Sequence, residues 1–339
     1  MPRHQTRGRS LNRGGPRRRT VNRRRARSVN SNNKVKNEEI GSGGFGVVSR
    51  PPQMCGRYIS NEHNFNADAF REVYLGNPDY ISKITELSGA ELELNIGNRI
   101  KELMPDYDNY FCLIEFICGA PDSKSFERNG DFYGTYAIAP YCGAPLSKLV
   151  ERNIPPPVSV FELCFLVTAL QHLTRAINRL HTHHIYHQDI HLDNILWDSD
   201  TGLMRLIDFG LAQYPEGMGN NDPVILNLEL TDCEKLIENA IKPVVSYVLQ
   251  SEILETARRK YPYIDDFYYQ LREFNGRIDS ILNPRRENRF NRVNREQQVT
   301  RYLNVILQFL KINTVDQLSA EYNEPTNNRR NNNNRKNNQ

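Results

Sequence analysis

The 339-residue chain has no apolar run near the ~18–20 residues that a membrane-crossing helix requires, so no spanning segment is expected. It has no Cys-x-x-Cys: Cys55, Cys112, Cys118, Cys142, Cys164 and Cys233 are scattered. That spacing argues against a zinc site or a disulfide framework and predicts free, buried thiols in a reducing, intracellular compartment. The N-terminus lacks the apolar stretch of a secretory signal. Acidic residues are missing altogether from residues 1–37, which carry 13 Arg or Lys, and residues 326–339 add 4 more basic groups. The net charge of +4 therefore conceals an acidic body, with 27 basic against 40 acidic residues between 38 and 325.

Both ends are also poor in apolar side chains. Neither can bury enough surface to offset the entropy of ordering, so 1–37 and 326–339 read as disordered tails. The arginine arm has the charge to bind nucleic acid non-specifically, with strong salt dependence. It also presents Thr20 and Ser28 in basic settings that suit phosphorylation.

What remains is an α+β body in two parts, 38–139 and 140–325, joined at the Pro- and Gly-marked stretch Pro140–Gly143. The first part is mixed. Strands are expected around the glycine cluster at 41–46, over Tyr80–Ile84, and in the apolar runs Phe111–Cys118 and Tyr133–Ala139. A helix is expected over Ala90–Met104, with Ser88 and Glu91 spaced as a capping box. From Ser159 helical periodicity dominates. Phe161, Phe165, Val167, Leu170, Leu173, Ile177 and Leu180 predict one apolar stripe, and further helices are expected over Thr231–Arg259, Ile264–Phe274 and Val293–Ile312.

Three stretches carry chemistry. Ile40-Gly41-Ser42-Gly43-Gly44-Phe45-Gly46-Val47-Val48 places glycines where backbone N–H groups can approach phosphate oxygens. The valines that follow suit a strand–turn–strand, which disfavours a dinucleotide fold with its helix after the glycines. His187-Gln188-Asp189-Ile190-His191-Leu192-Asp193-Asn194 spaces an aspartate and an asparagine so that one can accept a hydroxyl proton and the other bind Mg²⁺. Leu206-Ile207-Asp208-Phe209-Gly210 ends an apolar strand in a second carboxylate suited to Mg²⁺. The histidines at 181, 183, 184, 187 and 191 invite a zinc reading, but a catalytic loop and a helix end account for them.

In order and context, GSGGFGVV, HQDIHLDNIL and IDFG resemble the glycine loop, catalytic loop and metal-binding Asp-Phe-Gly of protein kinases. The resemblance spans about residues 38–212. It implies a bilobal fold, a small β-rich lobe over a larger helical one, with Mg²⁺ and ATP between them. It implies Asp189 as catalytic base, Asn194 and Asp208 as metal ligands, and a serine/threonine protein kinase acting on a protein, with basic proteins or the chain's own arm as candidate substrates. Ile40, Gly41, Ser42, Gly43, Gly44, Phe45, Gly46 and Val48 would cover the nucleotide, and Tyr141 or Cys142 would meet the adenine. The family also requires a strand lysine paired with a helix glutamate. With no lysine between Lys36 and Lys83, the choice is Lys83, with Glu93 preferred to Glu91.

Some positions depart from the family. Gln188 stands where an arginine is usual, His191 where many members have a lysine, and no Ala-Pro-Glu follows Asp208. The last two are similar to small-molecule phosphotransferases of the aminoglycoside and choline type. A binding scaffold without catalysis is the third reading, opposed by the presence of Asp189, Asn194 and Asp208. The compact core with Asn-rich tails is similar to serine/threonine kinases of large DNA viruses.

Overall fold

A computed structural model describes residues 38–43, 46–55, 72–122, 124–128, 131–151, 156–219, 222–282 and 292–313. The expected disordered tails, Thr20 and Ser28 lie outside these residues.

The glycine cluster folds as an antiparallel hairpin. Strand β1 (Glu38–Gly43) pairs with β2 (Gly46–Arg50), with Gly43 opposite Gly46. Gly44 and Phe45, between them, lie outside the described residues. Next come β3 (Tyr80–Thr85), β4 (Phe116–Gly119), the hairpin β5 (Phe126–Arg128) and β6 (Asp131–Tyr133), and β7 (Thr135–Pro140). An antiparallel sheet of order β1-β2-β3-β7-β4 results. Ile84, Cys118, Tyr136 and Ile138 form its core. The expected strand Phe111–Cys118 begins only at Phe116. Phe111 and Cys112 turn instead toward Leu206: Phe111 bridges it in parallel, and the Cys112 N–H donates to its carbonyl (3.1 Å). This stitch ties the sheet to the helical part.

Helix α1 (Leu87–Leu103) buries Ala90, Glu93, Ile96, Gly97 and Ile100, the spacing of one helical face. The capping box does not form. The strand ends at Thr85 and the chain turns at once, so Ala90 N–H already bonds the Glu86 carbonyl (3.1 Å) and Ser88 and Glu91 lie inside the helix.

After β8 (Ala144–Pro145) and the short α2 (Leu146–Val150) comes α3 (Val160–Thr182), whose cap Ser159 accepts from Glu162 N–H at 3.2 Å. Its buried face runs Leu163, Leu166, Val167, Leu170, Leu173, Ile177, Leu180. Phe161 and Phe165, expected in that stripe, are exposed, because Phe161 stands about 200° of helical rotation from Leu163. The helix has the length and mean hydropathy (1.3) of a membrane span, which a search for unbroken apolar runs overlooks. Some 72% of that stretch is buried in the protein as its central core helix.

A hairpin, β9 (Ile195–Asp198) and β10 (Leu203–Leu206), follows, and β8 joins its edge. Helix α4 (Pro223–Leu236) then passes through a π turn (Ile237–Ile241) into α5 (Lys242–Leu249). The π turn sits just before Pro243, whose ring nitrogen has no proton to give the ladder. Three further helices follow: α6 (Glu252–Arg258), α7 (Pro262–Leu282) and α8 (Arg292–Leu310). The single helix expected over Thr231–Arg259 is thus several segments starting earlier, at Pro223 behind its Asp222 cap.

Four cysteines depart from the free-thiol expectation. Cys55 pairs with Cys118 and Cys112 with Cys142, across 63 and 30 residues, while Cys164 and Cys233 stay free and buried. Local spacing carries no trace of partners that a sheet and a connecting segment bring together.

Candidate active site

Lys83 sits in mid-sheet, flanked across strands by Val48 and Ala137, so its side chain emerges at a fixed height. Its ammonium lies 2.8 Å from Asp208 Oδ2 and 3.7 Å from Glu93 Oε2. Burial opposes the lysine's charge, but the two carboxylates outweigh it and its pKa rises. Glu93 is buried on α1, whereas Glu91 is exposed. Burial pushes the Glu93 carboxyl up to about 7, against the pull of Lys83.

The loop 187–194 is held from below by one carboxylate. Asp232 on α4 is wholly buried and accepts from the backbone N–H of His187 (2.7 Å) and Gln188 (2.7 Å), from Gln188 Nε2 (3.0 Å) and from His181 Nε2 (3.1 Å). Gln188 takes a left-handed backbone (φ 61°), unfavourable for a residue with a side chain. Its amide also donates to the Leu228 carbonyl (2.9 Å), so the residue is turned inward onto α4. His187 is buried; its Nε2–H donates to the Ile207 carbonyl (2.8 Å) and its Nδ1 accepts from Asp189 N–H (3.2 Å). Burial lowers the pKa of this imidazole, against Asp232 and the Ile207 bond, which suits the neutral form that geometry requires.

Asp189 is thereby presented at the loop's outer side. Asn194 Nδ2 donates to both its backbone carbonyl (2.9 Å) and Oδ2 (3.0 Å), and His191 Nε2 lies 3.3 Å from Oδ2. The Ile207 N–H donates to the Asn194 carbonyl (2.9 Å), which keeps the Asp-Phe-Gly strand beside the loop. Asp208 is left-handed (φ 64°, ψ 69°), and Phe209 beyond it is fully buried against Phe111 and His187, with ring centroids 5.9 and 4.7 Å away.

So Lys83, Glu93 and Asp208 come together in one ion-pair group, and Asp189 and Asn194 in a hydrogen-bonded pair. Val48 is half-buried on β2 and Ile40 exposed on β1; Gly41, Ser42, Gly43 and Gly46 form the hairpin end. At the connection, the Tyr141 N–H is already committed to the Asp79 carbonyl (2.8 Å), and its ring lies under the Arg50 guanidinium (3.4 Å). Cys142 is buried in its disulfide. Among the described residues no three His, Cys, Asp or Glu side chains gather as a metal cage.

Asp232 and Lys235 escaped the sequence reading. The signal for Asp232 was present: it falls at helical spacing among Ile225, Leu228 and Leu236, where an apolar residue is expected.

The protein kinase domain family matches residues 136–228. The chain is 29% identical over 194 residues to a probable cyclin-dependent kinase 10 of Dictyostelium discoideum, covering 56% of this chain and 43% of that protein. It is 37% identical over 180 residues to the DNA damage-responsive serine/threonine-protein kinase RqkA of Deinococcus radiodurans, covering 52% and 22%. The chain thus spans less than half the length of either relative. The solved Cydia pomonella granulovirus kinase PK-1 aligns with a TM-score of 0.36 at 17% identity, over 59% of this chain and 67% of that one. Sheet, loop and ion pairs define a kinase-like α+β fold. Residues 136–228 are thus similar to the protein kinase domain, and the rest of the chain is built around that match.

Proposed function

We propose that this protein is a protein kinase that transfers the γ-phosphate of Mg·ATP to a serine or threonine hydroxyl of another protein, with the nucleotide between the sheet (38–139) and the helical part (140–325). The observation that carries this is the joined pair Lys83–Glu93 with Lys83–Asp208, at 3.7 and 2.8 Å, beside an Asp189 already bonded to Asn194. Phosphoryl transfer needs little covalent help; it needs positioned charge. Lys83, held by Glu93, would meet the α- and β-phosphates, and Asp189 would orient the hydroxyl and accept its proton. The hairpin from Ile40 to Val48, through Gly44 and Phe45, would cover the phosphates with backbone N–H groups. With its N–H committed to Asp79, Tyr141 is a poor adenine donor, which favours Cys142.

The residues fit a hard cation. Asn194 spends its side-chain NH₂ on Asp189 and its backbone carbonyl on Ile207 N–H, so its side-chain Oδ1 is left for a metal, and Asp208, one residue beyond Ile207, offers a carboxylate. Asn194 and Asp208 would hold Mg²⁺, which would supply positive charge to offset that of the phosphates.

A small-molecule acceptor is the second reading. It is favoured by the short path from the Tyr186–Gln213 bridge to α4 at Pro223, which leaves little chain for a peptide platform.

Labelled Mg·ATP offered to a basic protein, to a small-alcohol panel and to the protein alone tests these readings. Label in protein, lost by about 10²-fold or more in Asp189→Asn and in Asp208→Asn, is the expected result. Label only in small alcohols would transfer the case to the second reading. ATP binding without any transfer would leave a scaffold. The arginine arm is a separate proposal, non-specific nucleic-acid binding that deletion of residues 1–37 should abolish.

A further inference from the structure

Helix α4 turns two charged groups, three residues apart, toward the loop that carries Asp189. Asp232 is fully buried and grips the loop's backbone. Lys235 is one third exposed; its Nζ donates to the Gln188 carbonyl and lies 3.6 Å from Asp189 Oδ1. Positions i and i+3 share a helix face, so the bond network that fixes Asp232 also fixes the root of Lys235. A partly exposed ion pair at that distance adds little stability. Its placement is more informative. The other groups on the Asp189 carboxylate, Asn194 at 3.0 Å and His191 at 3.3 Å, carry no permanent charge, whereas Lys235 does. A hydroxyl oriented by Asp189 would bring the incoming phosphoryl oxygens into the reach of a four-carbon stem with open surface around it.

We propose that Lys235 is a catalytic residue, the cation that α4 supplies to the transferring phosphoryl group beside Asp189. This rests on the phosphotransfer reading above. In the step, the acceptor oxygen bonds to the γ-phosphorus while the bridging β–γ oxygen bond breaks. That electron pair leaves with ADP, and the hydroxyl proton passes to Asp189. Lys235 exchanges no proton; it meets negative charge on the three equatorial oxygens, which are strongest as a target when the group is in flight.

The test compares Lys235→Met and Lys235→Arg with the wild-type chain. We expect Lys235→Met to lower kcat about 10²-fold with KM for ATP changed less than about threefold, while Lys235→Arg retains at least about a tenth of wild-type kcat. Lys235→Met should weaken binding of Mg·ADP with aluminium fluoride, an analogue of the phosphoryl group in flight, more than that of Mg·ADP alone, a difference a purely structural role would not produce. The double variant His191→Lys/Lys235→Met, which moves the cation into the loop, should regain at least about tenfold in kcat. Wild-type kcat in Lys235→Met overturns the proposal and leaves the phosphotransfer reading standing. So does an equal loss of analogue and ADP affinity, including by misfolding. Absence of transfer by the wild-type chain overturns both.

Discussion

Asp232 accepts hydrogen bonds from both the backbone (2.7 Å) and the side-chain amide (3.0 Å) of Gln188, and so clamps a residue whose backbone is left-handed. The arginine expected at this position from the resemblance would bring a permanent charge. Here a neutral amide points inward, between Asp232 and the Leu228 carbonyl.

Replacing Asp232 by Asn should therefore cost more than a surface change. Four donors converge on that carboxylate, and an amide in its place presents N–H to N–H. A loss of about 2–4 kcal/mol in urea denaturation is expected, together with loss of phosphotransfer. Wild-type stability in Asp232→Asn would refute the clamp.

The loop should also be acid-labile through His187. Its neutral ring accepts from Asp189 N–H, and burial lowers its pKa below the unfolded value of about 6.5. A depressed histidine contributes stability that is complete above that value and is lost as pH falls from it toward the folded pKa. His187→Phe, which keeps a ring against Phe209, should be less stable than wild type at pH 8, and the gap should narrow by pH 5. A gap constant across that range would contradict the assignment.

Gly143 follows the sheet–helix connection at φ 116°, where a Cβ would stand 2.3 Å from the Trp197 carbonyl oxygen. Backbone meets backbone there, so no side chain can yield. Gly143→Ala should lose at least about 2 kcal/mol, read as a lowered melting temperature, with the neighbouring Cys142 displaced. Full thermal stability in this variant would show that β8 and β9 are not so closely set.

The disulfides make a simple count. Alkylation of the unfolded, non-reduced protein should label Cys164 and Cys233 alone, and reduction should expose the other four. Cys55→Ser should then lose about 2–4 kcal/mol, since its bond closes a long loop. Six labelled cysteines before reduction would exclude both bridges.

Much of the fold was legible because its signals are local. Glycines before Val47 and Val48 mark a hairpin, the period of α3 marks a core helix, and Asp208 at the end of an apolar run marks a strand edge. The choice of Lys83 rested on an absence of other lysines, and Glu93 rather than Glu91 on Ile96 and Ile100 following at helical spacing; in the structure Glu93 is buried and Glu91 exposed. Other features had no local mark. The capping box failed because β3 feeds α1 without a loop, and Phe161 was misread because an apolar residue on a helix is not thereby on its buried side.

The sequence by itself determined the chemistry at hand: a glycine hairpin, the Asp189–Asn194 spacing, the second carboxylate at Asp208, and two basic ends around an acidic body. Tertiary structure alone decided which distant groups serve those residues. Asp232 under the loop, Lys235 beside Asp189, and Cys112 against Cys142 lie 30 to 46 positions from their partners. Hydrogen bonds and ion pairs act over a few ångströms of space, and separation along the chain carries no record of that distance until the core has packed.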